Sequence, residues 1–145
     1  MSEDVAGPDR SCIVEVTLEA TPEAIYRTWT ERFDTWFASP DAITMDPRVG
    51  QPYWFEVVHE GARHPHYGRF LALEPGELIK QTWVSGPNGT DGAETVVTVM
   101  LRPEGAGTHV VLTHSGFLSE SAAQGHGNSW SAILRHLDDA ITSGP

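Results

Sequence analysis

Apolar residues near the C-terminus recur at intervals of three and four positions; they are Trp130, Ile133, Leu134, Leu137 and Ile141. Residues at this spacing lie on one stripe of an α-helix. The pattern therefore predicts a long amphipathic helix late in the chain, and its apolar stripe must be buried against another element.

Upstream of this helix, apolar residues alternate with a period of two, which is typical of β-strands. In the segment 53–58, one face carries Tyr53, Phe55 and Val57, and Glu56 is expected to face solvent. Similar strand-like segments occupy 12–19, 66–73, 78–84, 94–101 and 108–115. Turn-forming pairs such as Pro75-Gly76 separate them, and such short connections favour antiparallel hairpins.

Two short helices are predicted after the first strand. The first opens at Thr21-Pro22-Glu23, with Thr21 as its N-cap, and the second covers Glu31 to Phe37. The order of elements predicts an α+β helix-grip fold, in which a curved antiparallel sheet of six to seven strands wraps around the long C-terminal helix. Such a sheet leaves a cavity between itself and the helix, where we expect a functional site.

Several landmarks in the chain resemble the SRPBCC (START-like) superfamily, and within it the C-terminal domain of the activator of the Hsp90 ATPase. They are Ala20-Thr21-Pro22, Asp46-Pro47-Arg48-Val49-Gly50, Tyr67-Gly68-Arg69-Phe70, Leu73-Glu74-Pro75, Thr113-His114-Ser115-Gly116-Phe117 and the helix with Trp130, Leu134 and Leu137. The resemblance implies one domain over residues 12–142, with a flexible tail at 1–11 and a second tail at 143–145. It does not specify a function, because the superfamily includes ligand binders, cyclases and cochaperones.

Composition restricts the partners. The net charge of −11 argues against nucleic acid and anionic membranes, and Lys80 is the only lysine. The apolar runs are too short to span a membrane. Residues 1–10 lack the features of a signal peptide, which predicts a cytoplasmic protein. The single Cys12 excludes an intramolecular disulfide and is interpreted as an inert thiol.

Histidines are the main candidates for chemistry. His114 shares a strand face with Val110 and Leu112, so it is expected to point inward. Two interpretations stay open: a hydrogen-bonded core residue, or a polar group that orients a ligand in an apolar pocket. His59, His64 and His66 are better explained as residues of a turn than as metal ligands. The glycines around His126 suggest a flexible approach to the last helix. We predict no cofactor, no metal and no recognisable catalytic motif, so catalytic residues stay unassigned.

The aromatic residues define the predicted pocket. Trp36 and Phe37 are placed at its mouth, and Tyr53, Phe55 and Trp83 on its sheet wall. The predicted ligand-binding set also includes His114 from the sheet and Trp130 and Leu134 from the helix.

The pattern favours binding of a small, largely apolar molecule. A cyclase or dehydratase that uses the same pocket is the first alternative, and a cochaperone-like module is the second. A homodimer and a chaperone both stay open as partners.

Overall fold

The computed structural model describes residues 10–87 and 89–143. Most of the predicted tails at 1–11 and 143–145 lies outside these ranges, except that Ser11 is the first residue of a strand. Among these described residues, the complete elements are seven strands, two α-helices and one short 3-10 helix, Phe33–Thr35. The helices are α1 (Pro22–Glu31) and α2 (Glu120–Thr142). The strands are β1 (Ser11–Leu18), β2 (Ile43–Met45), β3 (Pro52–His59), β4 (Ala62–Glu74), β5 (Leu78–Ser85), β6 (Thr95–Glu104) and β7 (Gly107–Ser115).

The strands form one sheet in the order β1-β7-β6-β5-β4-β3-β2, and every neighbouring pair is antiparallel. The register between β4 and β5 shifts between Phe70 and Ala72, and such an irregularity bends a strand. Helix α2 packs on the inner face of this sheet, with Trp130, Leu134 and Leu137 buried. The predicted helix-grip fold is therefore confirmed.

The end of β1 is tied to α2 by a side chain. One carboxylate oxygen of Asp138 accepts a hydrogen bond from the backbone N–H of Glu19, and the other accepts one from Ala20, both at 3.0 Å. These two bonds satisfy backbone donors that the chain exposes where it leaves the sheet. They hold the C-terminal half of α2 against the start of α1.

Helix α2 begins ten residues before Trp130, so the prediction of a flexible approach around His126 was wrong. Ser119 caps the helix by accepting the N–H of Ala122 at 3.1 Å, and the glycines at 125 and 127 lie inside it. A Cβ on Gly127 would lie 3.2 Å from the Cβ of Cys12. Glycine therefore lets this part of the helix approach β1 closely. Burial raises the pKa of the Cys12 thiol, in keeping with its interpretation as inert.

Two other details differ from the sequence-based prediction. The second short helix contracts to the 3-10 helix Phe33–Thr35, and the three-residue strand β2 pairs with β3 although no alternating pattern predicts it. Strand β4 extends back to Ala62, so Pro65 lies within a strand. Proline is tolerated there because pairing with β5 starts only at His66, and the missing N–H removes no bond to that strand. In the described ranges, neither α-helix is long and apolar enough to cross a membrane.

Candidate functional site

A cavity of about 550 Å³ lies between the tip of the β3–β4 hairpin, the loop after β5 and the middle of α2. Its apolar wall consists of Phe37, Val57, Trp83, Trp130 and Ile133. Histidines, serines and one arginine supply most of the polar lining, namely His59, Arg63, His64, His66, Ser85, His126 and Ser129. The volume falls within the range that pockets for small organic ligands occupy.

Three aromatic rings of the wall contact each other. The rings of Phe37 and Trp83 meet edge to face with centroids 5.5 Å apart, and those of Trp83 and Trp130 do so at 5.4 Å. The centroids of Phe37 and Trp130 lie 6.0 Å apart. Such contacts add stability beyond the burial of area, so this part of the wall is held in one arrangement. The half-buried ring of Phe37 and small patches of Trp83 and Trp130, each only 2% exposed, face the cavity.

The loop after β5 forms part of the rim and is held by reciprocal hydrogen bonds. The N–H of Ser85 donates to the Thr90 hydroxyl at 2.8 Å, and the N–H of Thr90 donates to the Ser85 hydroxyl at 2.9 Å. On the opposite side, Arg63 forms a 2.7 Å ion pair with Glu56. The side chain of Glu56 is only 13% exposed, so the prediction that it faces solvent was wrong.

His66 is the most constrained polar group of the wall. Its ring stacks on Phe55 with centroids 4.7 Å apart and an interplanar angle of 9°, and its Nδ1 lies 3.0 Å from the carbonyl oxygen of His64. Burial lowers the pKa of His66 to about 4, and the positive charge that His126 can carry acts in the same direction. At neutral pH the His66 ring is therefore uncharged.

His126 supplies a second imidazole from α2. Its Nδ1 lies 3.0 Å from the carbonyl oxygen of Ala122, one helical turn earlier, and its ring packs 4.6 Å from that of Phe117. His126 also borders a second cleft, of about 480 Å³, beside the start of α2. The ring thus lies at the junction of the two spaces.

His114 lies behind the wall in a hydrogen-bonded chain whose direction is fully determined. Trp130 Nε1–H can only donate, so it donates to His114 Nδ1 at 3.0 Å, and the His114 proton must be on Nε2. That Nε2–H donates to the Thr95 hydroxyl at 2.7 Å, and the hydroxyl donates to the carbonyl of Trp83. The ring is fully buried, and burial lowers the pKa of His114 to about 3. This arrangement matches the interpretation of His114 as a core residue, although its partners are mainly side chains.

The eight predicted ligand-binding residues divide into two groups. Phe37, Trp83 and Trp130 line the cavity. The other five pack in the core and do not contribute to the lining; they are Trp36, Tyr53, Phe55, His114 and Leu134. Burial does not separate the two groups, because Trp83 and Trp130 are each only 2% exposed.

For two of these five residues, a hydrogen bond explains why the side chain does not line the cavity. Tyr53 uses its hydroxyl to donate to the backbone of Thr82, and Trp36 donates to the carbonyl of Thr28 at 3.3 Å. The Tyr53 hydroxyl and the Trp36 indole N–H are thus hydrogen-bonded within the protein and are not free to donate to a ligand.

The sequence-based prediction missed His66, His126, Val57, Ser129 and Ile133 as wall residues. A signal for His66 was present, because His66, Gly68 and Phe70 follow the inward period of β4 and the residues between them are exposed. This signal was missed because the segment around Pro65 was interpreted as a turn. His59 and His64 are exposed on the rim. Within residues 10–87 and 89–143, no three His, Cys, Asp or Glu residues are grouped to hold a metal ion.

Solved structures of similar fold cover nearly the whole chain. Protein CV1439 from Chromobacterium violaceum is 24% identical over 91% of this chain and 97% of its own, with a TM-score of 0.77. Protein MLL2253 from Mesorhizobium loti is 23% identical over 94% and 99%, with a TM-score of 0.76.

DynU16, a protein in the dynemicin biosynthetic locus, matches with a TM-score of 0.78 and 18% identity over 94% of this chain and 49% of its own. At these identities the likeness shows the fold alone. A search of curated proteins finds no match to this chain.

A family profile, that of the Activator of Hsp90 ATPase homolog 1-like protein, matches residues 19–142. The match covers β2 to β7 and both α-helices, and it includes every residue that lines the cavity. The chain therefore belongs to the Activator of Hsp90 ATPase homolog 1-like family.

Proposed function

We propose that this protein binds a small, largely apolar, ring-containing molecule in the cavity between the β3–β4 hairpin and α2. The observation that carries the proposal is the mutually packed wall of Phe37, Trp83 and Trp130 around a space of about 550 Å³. A flat ligand gains both area burial and ring contacts on such a wall. The fold likeness to DynU16, a protein of the dynemicin biosynthetic locus, supports a small-molecule role.

Binding without catalysis is favoured by the position of His114. A cyclase-like mechanism that relies on this residue requires its ring to reach the ligand, but both ring nitrogens are occupied and the ring is fully buried. An enzymatic role would therefore depend on His66 or His126. Both rings line the cavity, and neither has a carboxylate among its hydrogen-bond partners in the described part of the chain.

A protein partner is the second candidate, and one observation favours it. Trp54 and Tyr67 face each other across β3 and β4 on the outer side of the sheet, 38% and 53% exposed, and Val58 nearby is 48% exposed. Exposed aromatic residues of this kind are frequent at interaction sites. A cytoplasmic chaperone as that partner remains a prediction, as does a homodimer.

A thermal-shift screen of apolar and aromatic metabolites tests the main proposal. A ligand at about one hundred times its dissociation constant stabilises the folded state by about 2.7 kcal/mol, which shifts Tm by several degrees. We expect a set of chemically related ring compounds among the ligands found.

A pair of adjacent substitutions on α2 locates the binding. Ser129 lines the cavity, whereas its exposed neighbour Asn128 does not. Ser129→Trp should fill the space and abolish the shifts, and the matched control Asn128→Trp should retain them. Equal shifts in both variants would place binding elsewhere, and the absence of any ligand would leave the Trp54–Tyr67 surface as the leading site.

A further inference from the structure

The cavity wall contains two imidazoles in the same tautomer, and the hydrogen bonds of the main chain determine it. Nδ1 of His66 lies 3.0 Å from the carbonyl oxygen of His64. A carbonyl oxygen only accepts, so the ring proton of neutral His66 must be on Nδ1. Nε2 then bears a lone pair, and it has no hydrogen-bond partner among the described residues.

The same reasoning applies to His126 on the helix side. Its Nδ1 donates to the carbonyl oxygen of Ala122 at 3.0 Å, which in the neutral ring leaves Nε2 as an acceptor, again without a partner in the described ranges. His114, which lies 5.3 Å from His126 between ring centroids, has the opposite tautomer and uses both nitrogens internally. The distinction separates a structural histidine from two that are free to meet a ligand.

His66 is also held in place as a rigid acceptor. Its ring stacks on Phe55 at 4.7 Å and meets the edge of Trp83 at 5.4 Å. A ring packed on two sides cannot turn away when a ligand arrives. An apolar ligand that covers Nε2 would remove its water without replacing the hydrogen bond, which weakens binding.

From these contacts we propose that the ligand is a neutral ring compound with a hydroxyl or N–H donor, and that His66 Nε2 accepts this donor with His126 Nε2 as a second acceptor. The inference rests on the proposed function of the cavity and specifies its substrate class. A carboxylate ligand is disfavoured, because its oxygens would face the lone pairs of two acceptors. Arg63, the cationic residue of the lining, is already paired with Glu56.

Three naphthalene probes test the inference in the full-length chain at neutral pH. 2-Naphthol carries a hydroxyl donor, 2-methoxynaphthalene has the same rings without the donor, and 2-naphthoate is an anion. Calorimetric titration should show 2-naphthol binding about three- to tenfold more tightly than the methoxy compound, the usual net scale for one hydrogen bond. Naphthoate should bind more weakly than 2-naphthol.

Ring-preserving variants assign the acceptor. His66→Phe keeps the ring beside Phe55 but removes Nε2, so it should bring the naphthol and methoxy affinities close together. His126→Phe should reduce the difference in part. His136→Phe, at an exposed position on α2 outside the cavity, is the matched control and should preserve the full difference.

The outcomes separate this inference from the cavity proposal. Equal affinity of the wild-type protein for 2-naphthol and 2-methoxynaphthalene would overturn the donor requirement and leave cavity binding standing. Failure of all three probes to bind would overturn both. A nitrogen NMR spectrum in which His66 Nε2 carries the proton would overturn the tautomer argument without any variant.

Discussion

Replacing His114 by glutamine should reduce the loss of stability of this protein in acid. In the folded chain, burial lowers the pKa of His114 from its ordinary value of 6.5 to about 3. The unfolded chain takes up the proton at the ordinary value, so acid favours unfolding. The neutral His114 ring makes its full contribution to the free energy of unfolding above about pH 6.5. This contribution is lost as the pH falls towards the folded-state pKa.

The magnitude follows from the interval between the two pKa values. From about pH 6.5 down to pH 5 there are about 1.5 pH units, each of which changes the free energy of unfolding by about 1.4 kcal/mol. His114 therefore accounts for a loss of about 2 kcal/mol between pH 7 and pH 5. His66, with a folded-state pKa of about 4, contributes a similar loss over the same interval.

Glutamine is a suitable replacement because its carbonyl can accept from Trp130 and its amide can donate to Thr95, but it does not titrate. Imperfect geometry should reduce stability at pH 7 by about 1–3 kcal/mol. Urea unfolding at pH 7 and pH 5 should show a loss for His114→Gln that is about 2 kcal/mol smaller than the wild-type loss. His136→Gln, at a residue exposed to water on α2, should keep the wild-type pH dependence.

Equal losses in wild type and His114→Gln would refute the argument. They would mean that burial does not hold His114 neutral, and that its ring can take up a proton in the folded state.

Two further predictions concern packing. Leu134→Ala removes a fully buried side chain from the stripe of α2 and should lower the free energy of unfolding by about 2–5 kcal/mol. The control His136→Ala, at an exposed position, should change it by no more than about 0.5 kcal/mol. A near-neutral result for Leu134→Ala in a denaturant titration would mean that α2 does not pack in the core. Gly107→Ala would place a Cβ against the carbonyl oxygen of Leu18, so the Tm of this variant should fall by several degrees. Gly125 lies inside α2 with open space around it, so Gly125→Ala should raise Tm slightly. Similar melting temperatures for the two alanine variants would contradict the close approach of β7 to the end of β1.

The sequence predicted the parts of the fold that depend on local geometry. The stripe of Trp130, Leu134 and Leu137 identified α2, and the alternation around Tyr53 and Phe55 identified β3, because side-chain direction repeats every 3.6 residues in a helix and every two in a strand. The start of α2 at Glu120 was missed, since the glycines at 125 and 127 have low helix propensity, and tertiary packing overrides that preference.

The membership of the cavity wall was only partly predictable. Phe37, Trp83 and Trp130 were identified from the sequence and line the space, but alternation cannot distinguish an inward residue on the wall from one behind it. Phe55 and His66 both point inward on neighbouring strands, and their rings stack. In this stack His66 lines the cavity and Phe55 is buried behind it.

The chemical state of the histidines depended on contacts that exist only in the folded chain. The sequence alone placed His114 on an inward face, which fits a ligand contact and a core residue equally well. The position of Trp130 Nε1, sixteen residues away on α2, determines that His114 is an internal acceptor. The carbonyls of His64 and Ala122 leave the Nε2 atoms of His66 and His126 as acceptors. A tautomer is selected by the donor or acceptor that meets each nitrogen, and that partner is a property of the folded chain.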